Sequence, residues 1–142
     1  MNLPQIVALQ LVLYAVLWML CAFVMVVERR AVRHYMAYSL ISGVSVLLIS
    51  WRPDGPQWVT HTLASVLDVV GLVAARRGAE LFLHTKPRDG EHAAIAVVGS
   101  AALFLIGTDD SSNRVALAAA LAAAVMVGAA VHGWTPMRRE FG

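Results

Sequence analysis

Long apolar runs alternate with short polar segments along almost the whole chain. The runs cover about residues 4–27, 35–51, 58–75, 92–107 and 115–132. Within each run the apolar positions continue all round a helix instead of returning every three or four residues, which is the pattern of a span through lipid. The run at 58–75 is long enough, at 1.5 Å per residue, to cross most of a roughly 30 Å hydrocarbon core. The pattern therefore predicts an all-α fold: an integral membrane bundle of five transmembrane helices, forming a single domain over residues 1–142.

The polar segments predict where the helices turn. Arg52-Pro53-Asp54-Gly55-Pro56-Gln57 cannot continue a helix and is bracketed by Trp51 and Trp58, so runs two and three form a hairpin with tryptophans at the headgroups. Lys86-Pro87-Arg88-Asp89-Gly90 breaks the chain before run four, and Ala79–Leu83 is expected to extend run three along the membrane surface. Thr108 to Arg114 is a polar turn with N-cap residues before run five, and the tail 133–142 is expected to stop the last helix.

Composition strengthens this picture and charge orients it. Of the 142 residues, 59% are hydrophobic and 14% charged, whereas soluble domains carry about 25% charged residues. Arg29, Arg30 and Arg33 follow run one; Arg76, Arg77, Lys86 and Arg88 follow run three; Arg138 and Arg139 follow run five. Only Arg52 and Arg114 lie on the opposite side. By the positive-inside rule the N-terminus is outside and the C-terminus cytoplasmic, as five spans require. The basic clusters read as orientation signals, with anionic lipid heads as a further use; nucleic-acid binding is not expected. The start of the chain lacks the basic region of a signal peptide, so run one is expected to be retained.

One acid interrupts the third run. A charge at Asp68 costs at least about 2.5–3.5 kcal/mol near the bilayer centre unless it is neutralised, hydrated or paired. His61, Ser65 and Asp68 share a stripe by their spacing of four and three, and Tyr38, Ser42 and Ser45 form a hydroxyl stripe on run two. The hairpin sets these stripes face to face. They are the candidate residues for a proton, cation or ligand site, and equally for interhelical hydrogen bonding. Gly43 with Ser39, Gly71, and the series Ala116, Ala120, Ala124 and Gly128 are small enough for close helix packing.

Other chemistry finds little support. The single cysteine, Cys21, excludes a disulfide or a cysteine-built zinc site. His34, His84, His92 and His132 gather at one set of helix ends without the spacing of a metal site and read as interfacial histidines. No Walker, GxGxxG, HExxH, GxSxG or CxxC motif occurs. Neither catalysis, a cofactor nor a metal is expected.

Several features in order carry a resemblance. They are Glu28-Arg29-Arg30, Arg52-Pro53 with Trp58, Asp68 with Gly71, Arg76-Arg77-Gly78-Ala79-Glu80-Leu81-Phe82, and Asn113-Arg114-Val115-Ala116-Leu117. Over roughly residues 28–130 the chain resembles the N-terminal multi-span sensory region of bacterial GGDEF diguanylate cyclases. The GGDEF motif is absent and the chain ends after the fifth run, so no catalytic residue carries over. The resemblance implies a sensing or scaffolding module in the bacterial cytoplasmic (inner) membrane. The expected function is a signal-input or regulatory module for a cytoplasmic partner. The alternatives are a small accessory subunit of a larger membrane complex and a small transporter subunit using Asp68. Membrane lipids and either a homo-oligomer or a larger assembly are its expected surroundings.

Overall fold

The computed structural model of the chain describes residues 3–25, 28–52, 54–86, 88–106 and 111–141; of residues 4, 111 and 132–141 it describes the backbone alone. The described residues form helices α1 (Leu3–Val24), α2 (Arg29–Ser50), α3 (Ala64–Phe82, entered through a π-helical turn at Trp58–Leu63), α4 (Asp89–Ile106) and α5 (Ser111–Phe141). All five are long and apolar enough to cross a membrane. Pro53, Pro87 and residues 107–110 lie outside the described residues, and Ser111 to Arg114, expected in the polar turn before run five, already belong to α5.

The side chains are distributed as lipid demands. Leu9, Leu13, Leu17 and Phe23 of α1, Val97, Val98 and Leu105 of α4, and Met126, Val127 and Val131 of α5 are all exposed. The interior holds mostly small or hydroxylic residues, such as Ala8, Ala15, Ala31, Ser39, Ser45, Thr60, Thr62 and Ala64, with Val69, Leu103 and Val125 among its larger apolar members. A water-soluble fold would exchange these two sets. Between helices in a bilayer there is no apolar driving force, and close approach of small residues replaces it.

Successive helices run antiparallel. Gly43 of α2 lies against Ala8, Leu11 and Val12 of α1. Ala64, Gly71 and Gly78 recur every seven residues on α3 and turn one face to α2: Ser45 donates to the Ala64 carbonyl at 3.0 Å, Gly71 meets Ile41 and Ser42, and Gly78 meets Ala31 and His34. At Gly78 an added Cβ would stand 3.2 Å from His34 Cβ and 3.3 Å from the Ala31 carbonyl, so the backbones meet where only glycine fits easily. Helix α3 packs on α2, α4 and α5, while the main contact of α1 is with α2. On α1, Gln10 donates to the Tyr14 hydroxyl at 2.8 Å, and Trp18 stacks on Tyr35 of α2 with ring centroids 5.0 Å apart.

Several boundaries differ from the sequence expectation, for local reasons. The basic cluster after run one is the first turn of α2, and Arg29 donates from Nε to the Ala22 carbonyl at 3.0 Å, satisfying a group the end of α1 leaves open. Helix α3 continues through Arg76 and Arg77 to Phe82. It closes with Thr85 N–H on the Glu80 carbonyl at 2.9 Å and His84 N–H on the Leu81 carbonyl at 3.2 Å, with His84 left-handed at φ 51°. That paired closure is a Schellman cap carrying histidine where glycine is usual. Helix α4 opens at Asp89, whose carboxylate together with that of Glu91 suits a helix N-terminus. Helix α5 does not stop at Gly133: its backbone stays helical to Phe141, through Pro136. Its 31 residues span about 46 Å, and isolated glycine and proline are tolerated in membrane helices.

Candidate functional site

Two clusters of polar side chains lie at opposite ends of α3, with Asp68 between them. At the tryptophan end, Arg114 on the first turn of α5 is 3% exposed and donates from Nη2 to His61 Nδ1 at 3.2 Å. An arginine has no acceptor, so the His61 ring proton sits on Nε2. Arg52 donates from Nε to the Thr60 carbonyl at 3.3 Å, closing the turn over the π-helical segment. Isolated π turns often mark functional positions.

Half-buried Asp68 lies on the side of α3 that meets Ser45 of α2. The Ser45 hydroxyl donates to the Ala64 carbonyl at 3.0 Å, and an amide at position 68 keeps a polar group of nearly the carboxyl's shape beside it. Asp68→Asn is therefore expected to leave stability in detergent within a few tenths of a kcal/mol, and Asp68→Leu to lose about 1 kcal/mol. Equal losses in thermal unfolding of the two variants would refute this arrangement.

The other stripe residues go to different partners. Ser65 donates to the His61 carbonyl of its own helix at 2.9 Å. Ser42 and Tyr38 lie against Gly71, a turn further along from Asp68. His61 turns to α5 rather than to the hydroxyls of α2. The hairpin thus brings Ser45 to Asp68 and leaves the six candidates distributed over two helix faces. Of the small-residue series on α5, Ala116, Ala120 and Ala124 are exposed, and Gly128 meets a guanidinium rather than a helix backbone.

The second cluster is the densest polar site among the described residues, at the arginine-rich end. Arg76 is 2% exposed, Glu80 4% and His92 6%. Arg76 donates from Nη2 to Glu91 Oε1 at 2.7 Å and stands 3.4 Å from Glu80 Oε1 through Nε. His92 Nε2 lies 3.1 Å from the same Glu80 oxygen. Arg77 pairs with Asp89 at 2.9 Å, and Arg88 reaches Glu91 at 3.5 Å. Because α3 and α4 are antiparallel, cations in the last turns of one meet anions in the first turn of the other. The Arg76 guanidinium then rests on α5, where a Cβ added to Gly128 would be 2.6 Å from Nη1 and 2.9 Å from Cζ. One buried side chain thereby joins three helices.

Sequence reasoning took Arg76 and Arg77 as orientation signals and His92 as an interfacial histidine, and missed this network. The readable signal was Arg76 with Glu80 four residues on, a spacing that places opposite charges on one helix face. His84 lies 3.4 Å from Glu28, beside the start of α2; the side chain of His132 lies outside the described residues. Among the described residues no group of three His, Cys, Asp or Glu side chains is arranged to hold a metal. No protein-family model matches the chain, and neither a curated protein nor a solved structure matches it.

Proposed function

We propose that the chain is a five-span membrane module that passes a signal to a cytoplasmic partner, without catalysis of its own. The observation that carries this is the placement of polar contacts along the third span: His61 to α5, the Ala64 carbonyl to Ser45 of α2 beside Asp68, and Arg76 with Glu80 to α4 and α5. A small displacement of α3 cannot leave these bonds intact at one end only. A ligand or proton that prefers one packing near Asp68 would therefore be felt at the arginine-rich end, provided its affinity differs between the two packings. The likeness of residues 28–130 to the sensory region of GGDEF diguanylate cyclases supports the same reading. The arginine distribution supports an N-terminus outside and a C-terminus in the cytoplasm of a bacterial inner membrane.

Purification from native membranes in mild detergent, followed by mass analysis of what stays bound, tests the proposal. A cytoplasmic partner whose binding or output changes with Asp68→Asn is the expected result. A fixed-ratio membrane complex indifferent to Asp68 would replace it with the accessory-subunit reading, and loss of solute flux in a folded Asp68→Asn protein with the transporter reading. Terminal reporter fusions test the orientation: a fluorescent protein should mature on the C-terminus, and a secreted phosphatase should be active on the N-terminus.

A further inference from the structure

Helices α1 and α2 enclose a groove at the arginine-rich end that the Arg76 network does not use. Met19, Ala22 and Phe23 line it from α1, Arg29, Arg33 and Met36 from α2, and it encloses about 280 Å³. Both sets recur at three and four residues, so each is one helix face. The Trp18–Tyr35 stack joins the same two helices one residue away on each side.

The groove is apolar along its walls and cationic at its mouth. The bond from Arg29 Nε to the Ala22 carbonyl holds that side chain across the groove and leaves its two terminal nitrogens available. Among the described residues, Arg76, Arg77 and Arg88 each pair with a carboxylate, whereas none pairs with Arg29 or Arg33. Glu28, the neighbouring acid, lies against His84 instead. We infer that this groove binds one anionic phospholipid, its phosphate on Arg29 and Arg33 and the first part of an acyl chain on Met19, Phe23 and Met36. Each feature of the occupant follows from the groove. A free phosphate has no use for thioether and phenyl walls, and a zwitterionic lipid brings a cation of its own to the two arginines. The narrow volume suits a stretch of hydrocarbon chain.

Native mass spectrometry of the detergent-solubilised full chain, titrated with dioleoylphosphatidylglycerol or dioleoylphosphatidylcholine, tests the site. The anionic lipid should bind at lower concentration and reach one tightly held copy. Arg29→Gln with Arg33→Gln should weaken it roughly 30-fold, from the attraction each basic residue adds near an anionic surface. Arg29→Lys with Arg33→Lys should retain most of the binding and report that the fold survives. Met36→Trp, which fills the groove and leaves the charge unchanged, should also displace the lipid. Equal affinity for the two lipids, or indifference to both the glutamine pair and Met36→Trp, would overturn the assignment. So would equal competition by glycerol 1-phosphate, which would mark a free-anion site, or a change of oligomeric mass with no change in bound lipid, which would mark a second copy as the occupant.

Discussion

Arg76→Ala is expected to lower the unfolding stability of the purified protein by about 3–5 kcal/mol, the usual consequence of removing one partner from a buried ion pair. The loss falls mainly on Glu80. Its carboxylate is buried, and without Arg76 it keeps His92 at 3.1 Å, the Arg88 N–H at 3.5 Å and the more distant Arg77 at 3.9 Å. Glu91 suffers less, because its side chain is 37% exposed and water can replace the guanidinium. Arg76→Lys should recover only part of the loss. A lysine is a point charge and cannot meet Glu91 and Glu80 in two directions at once, as the guanidinium fork does. Adding Glu80→Gln to Arg76→Ala should be milder than the sum of the single changes, since it removes the stranded anion along with its cation. Thermal or denaturant unfolding in mild detergent measures all three variants. A stability for Arg76→Ala within about 1 kcal/mol of the parent would show that the network does not hold the helices together.

A side chain at position 128 is expected to act through Arg76. Even the methyl of Gly128→Ala would stand 2.6 Å from Nη1, so the guanidinium must retreat from Glu91 or α5 must move away from α3. A cost of about 1–3 kcal/mol is the normal range for such overpacking. Gly128→Leu occupies the place of the guanidinium altogether and should approach the loss seen for Arg76→Ala. The two changes should not add: once the arginine is gone, a leucine at 128 fills the space it leaves. A double-mutant cycle should return a coupling of about 1–3 kcal/mol between the two sites. Simple additivity would mean that Gly128 serves helix packing in general and not the seat of this one side chain.

Much of the helical content could be read from the chain because lipid imposes a rule that acts residue by residue. A backbone surrounded by hydrocarbon must satisfy its own hydrogen bonds, so a long apolar run becomes a helix whatever its neighbours are. Gly55 and Pro56 lie in the turn between Trp51 and Trp58, which folds α3 back on α2 and brings Ser45 near Asp68. The charged ends were harder. Arginines after an apolar run serve orientation and ion pairing with the same residue types, and their side chains are long enough to turn either way. Arg29 and Arg33 stay at the surface beside a groove, while Arg76, in a similar cluster, is buried to 2%. The alanine series on α5 is ambiguous for the opposite reason: small residues permit close packing but do not say which helix arrives, and within this chain Ala116, Ala120 and Ala124 face outward.

By itself the chain determined five apolar helices, their order, and the hairpin of α2 with α3, because each depends on local composition and on the solvent around it. Only the tertiary structure decided that α3 would be the central helix, that His61 would turn to Arg114, and that Arg76, Glu80, Glu91 and His92 would share one buried network over Gly128. Those outcomes depend on the relative rotation and height of the helices. Rotation and height are set by how whole faces fit, and a charge that is solvated at one rotation is buried and paired at another.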